Sequence, residues 1–222
     1  MVLLGADPAA AYRPFVSTDA AVADPREVEV EFGAFTLERT GDRDTFATPS
    51  VVVNYGVLER WELVAEVGVQ EGSRTEVIDP GLSLKCVLKE GVLQDKEGVS
   101  LAVEAGLLLP STVKGERGVG FEATGILSGR LAPVTFHLNV GGGVDRSDAR
   151  PFATWGLIAE LPLTARLRVV SEVNGEARKG SGPRILRSLG SSGSRGRPIS
   201  SSMRRFGGGS AVELRIGRSR PA

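Results

Sequence analysis

The chain has 222 residues, of which 41% are hydrophobic and 24% are charged, with 27 basic residues against 27 acidic ones. This length suits one large all-β domain or two ordinary domains. The single cysteine, Cys86, excludes an intramolecular disulfide and a cysteine-based metal cluster, and no stretch approaches the roughly 18 consecutive apolar residues of a membrane helix.

Residues 1–26 form the first predicted segment, an irregular leader. They include Pro8, Pro14 and Pro25 and show little periodicity. The leader has no basic start and only a short apolar run, so we expect that its secretory signal is incomplete or absent.

Residues 27–177 repeat one pattern, in which every second side chain is apolar and those between are charged, hydroxylated or glycine. The stretch Trp61–Gln70 shows it best, with Trp61, Leu63 and Val67 in one phase and Glu62 in the other. Successive strand residues face opposite sides of a sheet, so this period predicts one apolar and one polar face. Nine strands are expected, at 27–38, 47–57, 61–70, 79–89, 98–109, 118–131, 134–142, 151–160 and 163–174. No convincing amphipathic helix interrupts them, so we predict an all-β antiparallel up-and-down meander.

The strand lengths and the connections favour a transmembrane β-barrel. Ten residues is long for a strand of a soluble domain but matches the roughly 9–11 that a tilted strand needs to cross a bilayer. Short turns are predicted at 58–60, 131–133 and 161–162, and longer polar loops at 40–44, 71–78, 111–115 and 145–150. Outer-membrane barrels have short turns on one side and long loops on the other. The connection at 90–97 fits this scheme less well.

The polar face carries charges of both signs, which cannot face hydrocarbon. We therefore assign these side chains to the lining of a lumen. The candidate lumen residues are Glu62, Glu66, Lys85, Lys89, Glu104, Glu122, Arg130, His137, Arg166, Arg168 and Glu172. Opposite charges on neighbouring strands could pair and narrow a channel, or each could simply be solvated.

Motifs for chemistry are weak. His137 is the only histidine, and the sequence offers no second histidine or neighbouring cysteine with which it could build a catalytic or zinc site. The glycines of 115–120 and 141–143 are followed neither by a helix nor by the Lys-Ser/Thr of a phosphate loop, so bends or close packing explain them better. We expect no enzyme activity, no catalytic residues, no metal and no cofactor.

Aromatic residues make up only 5% of the chain, which is the main argument against a membrane location. A barrel needs aromatic girdles at both interfaces. The candidate girdle residues are Phe46, Tyr55, Trp61, Phe121, Phe136, Phe152 and Trp155.

Residues 178–222 lose the alternation and become rich in glycine, serine and arginine. They hold eleven of the 27 basic residues and one of the 27 acidic ones, which leaves 16 basic and 26 acidic residues in the body. The composition predicts a disordered basic tail, whereas the acidic body would repel nucleic acid. We favour a change of reading frame near Arg178, because GC-rich codons for 199–207 can encode a strand-like sequence in another frame.

Three stretches resemble hairpins of a known family. Residues 55–66 resemble its YG-turn-ELGxE hairpin, and 107–120 and 159–176 resemble two later hairpins. The family consists of predicted outer-membrane β-barrels labelled as MetA-pathway phenol-degradation proteins or as transporters. Over residues 25–177 the resemblance implies such a barrel, with passage of apolar or aromatic compounds and no catalytic residues. The chain departs from the family pattern at 218–222, where an aromatic final residue is expected.

The leading hypothesis is a Gram-negative outer-membrane β-barrel that acts as a passive channel or uptake protein for small, aromatic or apolar compounds. Its expected partners are outer-membrane lipid, a small-molecule solute and the outer-membrane assembly machinery. The alternative is a soluble lipocalin-like β-barrel that turns its apolar faces inward and binds an apolar ligand. Alternation alone does not say which face is inside.

Overall fold

The computed structural model describes residues 17–32, 36–40, 43–47, 50–71, 74–164, 167–178, 184–193, 203–205 and 212–216. Their strands are β1 (Val28–Phe32), β2 (Thr36–Thr40), β3 (Arg43–Ala47), β4 (Val51–Leu58), β5 (Trp61–Glu71), β6 (Thr75–Lys89), β7 (Ser100–Leu108), β8 (Gly120–Leu131), β9 (Val134–Val144), β10 (Pro151–Thr164), β11 (Leu167–Arg178), β12 (Arg184–Gly193), β13 (Met203–Arg205) and β14 (Val212–Ile216). A single 3₁₀ turn, Val92–Gln94, lies between β6 and β7.

The strands form one antiparallel sheet in which chain neighbours are sheet neighbours from β4 to β12. These nine up-and-down strands curl into a half-barrel. Beyond β4 the sheet continues through β1, β14 and β13, while the β2–β3 hairpin attaches to the end of β5. The predicted all-β antiparallel meander is therefore confirmed.

The connections separate into two ends of the sheet. The short-turn end carries the described connections at 59–60, 90–99 and 132–133, and the long-loop end carries those at 109–119 and 145–150. The 90–99 connection lies at the short-turn end although it is longer than its neighbours there. Its 3₁₀ turn folds back against the sheet, where Leu93 packs on Ala102 and Ile126.

Three predicted boundaries are wrong. Most of the polar loop predicted at 71–78 belongs to strands, because β5 runs to Glu71 and β6 begins at Thr75. The turn predicted at 161–162 lies within β10, which runs on to Thr164. Pro162 sits opposite Arg168, and the register shifts just beyond it, because proline has no N–H to contribute to a continuous ladder. Along 27–57 the structure has two strands at the ends and a hairpin between them, not two long strands.

Parts of the predicted tail are described as strands. Residues 184–193 pair with β11 from Glu176 to Leu167, and short strands occupy 203–205 and 212–216. Ladder bonds use the backbone alone, so a sequence rich in glycine and serine can still add a strand to an open edge. The rest of the tail lies outside the described residues.

The sheet exposes apolar side chains on its outer face and buries polar side chains on its inner face, which is the reverse of the arrangement in a soluble protein. The outer face is apolar, and its large side chains are exposed, for example Leu138 at 39%, Leu157 at 44% and Phe121 at 48%. The inner face is polar and buried, with Lys85 at 2% and Glu172 at 1% exposure. Both faces come from the same alternation, because neighbouring residues of a strand point to opposite sides.

Aromatic rings on the outer face cover glycines on the adjacent strand. Trp155 lies opposite Gly175, where an added Cβ would be 2.6 Å from the indole Nε1. Phe136 covers Gly129 in the same way, since a Cβ added to that glycine would be 2.5 Å from the ring Cζ. Each ring thereby fills the space that a missing side chain leaves on its neighbour.

We expect Gly175→Val to displace the indole of Trp155 and to lower the free energy of unfolding by about 1–3 kcal/mol, as overpacking does. The change is measured by denaturant unfolding followed by tryptophan emission. Gly125→Ala is the matched control, because its Cβ would have 3.7 Å to the nearest atom and should change stability by less than about 0.5 kcal/mol. Equal effects of the two substitutions would contradict this packing.

Candidate functional site

The candidate site is the inner face of the sheet, where every strand from β4 to β11 contributes buried polar side chains. They are Asn54, Glu62, Lys85, Ser100, Ser128, His137, Asn139, Glu160, Glu172 and Asn174. Each occupies the inward phase of its strand, between apolar residues of the outer face. Burial of so many polar groups is tolerated only where they have partners.

The segment 17–24 supplies many of those partners by crossing the inner face from β11 to β4. The backbone N–H of Ser17 donates to Oε1 of Glu172 at 2.9 Å, and that of Ala20 donates to Oγ of Ser128 at 3.0 Å. At the far side, the N–H of Ala23 donates to a carboxylate oxygen of Glu62. Wall side chains therefore bind the peptide backbone of the segment.

Asn139 makes the most complete of these contacts. Its Oδ1 accepts from the N–H of Thr18 at 3.0 Å, and its Nδ2 donates to the carbonyl of the same residue at 2.8 Å. A carboxamide held this way satisfies both polar groups of one peptide residue. Gln94, from the connection at the short-turn end, adds a donor to the Ala20 carbonyl at 3.0 Å.

Two inner-face glycines make room for the segment. A Cβ on Gly56 would lie 2.0 Å from the carbonyl oxygen of Asp24, and one on Gly156 would lie 1.8 Å from Oγ of Ser17. The backbone of Gly56 also pairs with the chain as it leaves the segment, accepting from Arg26 at 2.7 Å. Gly56 lies against the backbone of the segment and Gly156 against the Ser17 side chain, and neither position leaves room for a Cβ.

Lys85 lies at the centre of a charged cluster beneath the segment. Its Nζ is 3.8 Å from Oδ1 of Asp19 and 4.0 Å from Oε1 of Glu62, and it donates to Oγ1 of Thr18 at 3.3 Å. All three charged side chains are less than 5% exposed. A buried ammonium is stabilised only by such opposite charge, so Lys85 and the two acids depend on one another.

His137 lies in a second cluster, on β8, β9 and β10. One ring nitrogen is 2.8 Å from Oγ of Ser128, and the other is 3.0 Å from Oε1 of Glu160. Arg168 approaches the other oxygen of Glu160 at 3.7 Å. Both ring nitrogens thus have partners, which orients the imidazole. The hydroxyl next to the ring belongs to Ser128, which also binds the segment.

A cavity of about 290 Å³ lies between the segment, the 59–60 turn and the 90–99 connection. Acidic residues predominate in its lining, which also includes Arg60 and Lys85. The acids are Asp19, Asp24, Glu29, Glu59, Glu62, Glu90 and Asp95. Such a chamber attracts cations and repels anions.

At the long-loop end, the 145–150 loop is tied to β11. Arg178 lies 2.6 Å from Oδ2 of Asp145, and Ser147 donates to Oδ1 of the same carboxylate. Burial raises the pKa of Asp145, but the Ser147 hydrogen bonds and the Arg178 charge outweigh it and hold that pKa below its usual range. The loop is thus fastened by an ionised carboxylate.

The Asp145 tie predicts an acid-dependent loosening of the loop. A carboxyl whose folded pKa is depressed stabilises the fold above its unfolded pKa of about 3.9, and that stability is lost as pH falls through the folded pKa. We expect cleavage of the loop by an acid protease to rise over that range. Asp145→Asn should remove the pH dependence, and a dependence that persists in this variant would contradict the assignment.

The predicted lumen residues are distributed unevenly. Glu62, Lys85, His137 and Glu172 are buried on the inner face, and Glu66, Glu104, Glu122 and Arg168 are half-buried. Lys89 and Arg130 are exposed at the short-turn ends of β6 and β8. Arg166 lies outside the described residues.

Sequence reasoning missed two parts of the site. The segment 17–24 has no period and falls within the predicted irregular leader, although it fills the inner face. The amides Asn54, Asn139 and Asn174 are absent from the predicted lumen residues. The alternation could have found them, since each lies in the polar phase of its strand, next to apolar neighbours.

The fold and site define a class: an antiparallel, barrel-like sheet with an apolar outer face and a polar inner face that holds a segment of its own chain. The family described as Uncharacterised conserved protein UCP029691 matches residues 1–203, and the chain belongs to that family. No curated protein matches the chain. Among the described residues, no helix has the length and apolar character needed to cross a membrane. The same residues contain no cluster of three or more His, Cys, Asp or Glu side chains arranged to hold a metal ion.

Proposed function

We propose that this protein is an outer-membrane β-barrel that acts as a passive channel or uptake protein for small solutes. One observation carries the proposal: the large apolar side chains are exposed on the outer face, while the charged and amide side chains are buried on the inner face. Soluble monomers rarely expose apolar patches of this extent. Lipid facing the outer surface removes the cost of that exposure.

The size of the apolar face supports a bilayer location. On β8 the outer face runs from Phe121 to Leu131, exposed at 48% and 73%. Ten residue steps of about 3.3 Å give about 33 Å along the strand. A tilt of about 40° reduces this to about 25 Å, the height of the apolar band in outer-membrane barrels.

Aromatic side chains lie near both ends of this face, as interface girdles do. Trp61 begins β5 at the short-turn end, and Phe121 and Trp155 lie towards the long-loop end of β8 and β10. These three are between 40% and 48% exposed. Phe46 belongs to β3, and the position of its side chain lies outside what the structure describes.

The soluble lipocalin-like alternative requires the reverse arrangement. It would pack the apolar residues inward around a ligand. Only two small apolar clusters lie on the described inner face, Ile158 with Val170 and Ala20 with Ala102 and Ile126. Both clusters are small, whereas the exposed apolar side chains of the outer face are many, and this favours the membrane proposal.

The charge of the inner face favours cations among the solutes. Among the described inner-face side chains that are nine-tenths buried, acids outnumber bases. The acids are Asp19, Glu29, Glu31, Glu62, Glu160 and Glu172, and the base that is permanently charged is Lys85. A passage lined in this way raises the local concentration of positive ions. The family resemblance also implies passage of aromatic or apolar compounds. That passage stays a separate prediction, which the reconstituted protein can test.

The proposal is tested by expressing the complete gene with an outer-membrane export signal and fractionating the cells. We expect recovery in the outer membrane and a gel mobility that differs between unboiled and boiled samples. We also expect conductance after reconstitution into planar bilayers. Potassium should carry more current than chloride under a salt gradient. Recovery as a water-soluble monomer with no detergent requirement would overturn the proposal.

A further inference from the structure

The inner face contains a peptide-binding trough that the chain fills with its own residues. We propose that the segment 17–24 is a displaceable plug, an internal peptide ligand whose release opens the passage. The inference rests on the proposed function and adds to it the regulation of that passage. It requires that the segment block the path and that it be held by contacts which can be exchanged.

The segment lies in the path because it crosses the inner face of the half-barrel from β11 to β4. It meets Glu172 on β11, Asn139 on β9 and Ser128 on β8 before it reaches Glu62 on β5. Its last residues then pack on Gly56 of β4. A solute that enters at the long-loop end meets the segment before it reaches the acidic cavity at the short-turn end.

The contacts that hold the segment are mostly exchangeable. Most are hydrogen bonds that backbone N–H groups of the segment donate to wall side chains, and each contributes little net stability because water can replace the partner. Apolar anchoring is confined to small side chains, since Ala20 and Ala23 are the buried hydrophobic residues of the segment. A structural element of a core would instead bury large apolar side chains.

The charged cluster also fits a reversible contact. Asp19 brings a second carboxylate to Lys85, which already faces Glu62, so the two acids share one ammonium. The Oδ2 atom of Asp19 is buried without a hydrogen-bond partner. Withdrawal of the segment therefore leaves Lys85 paired with Glu62 and gives the Asp19 carboxylate back to water.

The wall recognises backbone and small side chains rather than a particular large residue. Asn139 binds both peptide groups of Thr18, and the close approach at Gly156 admits only a small side chain at position 17. An extended peptide of small residues is thus the ligand chemistry that the trough fits.

Occupancy of the trough is tested first in detergent, with the full chain and no transport assay. In a Cys86→Ser background, Ser17→Cys should react with a water-soluble maleimide at least tenfold more slowly than Lys114→Cys, which lies in an exposed loop. Adding Asn139→Ala and Ser128→Ala should speed labelling at position 17 at least tenfold and leave position 114 unchanged. Equal labelling rates at positions 17 and 114 in the parent background would overturn the plug.

Gating is tested by locking the segment to the wall. In the pair Ser17→Cys with Gly156→Cys, the two Cβ atoms would start 3.1 Å apart, just below the roughly 3.5–4.5 Å range of a disulfide. We expect oxidation to reduce conductance at least tenfold and a reductant to restore it, while each single-cysteine variant is indifferent to both. The Asn139→Ala, Ser128→Ala variant should conduct more than the parent.

The outcomes separate this inference from the function on which it rests. Conductance that is equal in the oxidised and reduced pair overturns the plug and leaves the channel intact. Protection at position 17 together with absence of conductance from every variant overturns the gating role and the channel together. Slow labelling with redox-dependent conductance supports both.

Discussion

Replacing Leu138 with arginine is expected to lower the free energy of unfolding by about 2–4 kcal/mol in lipid, which is the cost of a cation on the lipid face near the bilayer centre. Leu138 is 39% exposed on the outer face, about halfway along β9. In a soluble protein the same change at an exposed position would cost less than about 0.5 kcal/mol. The measurement is urea unfolding of protein folded into lipid vesicles.

Leu131→Arg is the matched control for Leu138→Arg. Leu131 lies at the short-turn end of β8, is 73% exposed and belongs to the same face. The cost of an outward arginine falls to about 0–1 kcal/mol near the interface. A difference between the two positions therefore reports depth in a bilayer, and equal small effects would remove the main support for a membrane location.

Replacing Lys85 with methionine should have the second large effect, a loss of about 3–5 kcal/mol in the free energy of unfolding. The substitution leaves the carboxylates of Asp19 and Glu62 buried without the ammonium that lies within 4.0 Å of each. Denaturant unfolding measures the loss. Lys89→Met, at an exposed position of the same strand, should change stability by less than about 0.5 kcal/mol.

A double substitution distinguishes loss of charge pairing from loss of packing at Lys85. Glu62→Gln removes one of the two carboxylates and keeps the shape of the side chain, so it should recover part of the stability lost in Lys85→Met. The coupling between the two positions is the departure of the double variant from the sum of the single variants. Strict additivity would mean that Lys85 does not stabilise Glu62.

The inner-face clusters show which residues of the site the sequence predicts and which it does not. Alternation around Trp61 places Glu62 and Lys85 on a polar face, and the structure buries both. Their partner Asp19 could not be foreseen, because it comes from a segment without periodicity that approaches from outside the meander. A contact between residues distant in the chain leaves no pattern in the sequence around either residue. This holds most strongly where the segment contributes backbone groups.

The ends of the strands were harder to predict than the faces. At 161–162 a proline suggested a turn, but β10 continues past it because its partner β11 tolerates a shift in register there. At 184–193 the sequence has lost the alternation, and the open edge of β11 supplies a backbone ladder for β12. In both places the neighbouring strand decides, and the local sequence does not describe that neighbour.

By itself the sequence determined that the body is a meander of strands with one apolar and one polar face, since a period of two is a property of each strand alone. Only the tertiary structure decided that the polar face is buried on the inside of the curl and that residues 17–24 lie across it. The physical reason is that curvature and the docking of a segment depend on contacts between distant parts of the chain. Those contacts, at Gly56 and Asn139, use backbone groups that every sequence has.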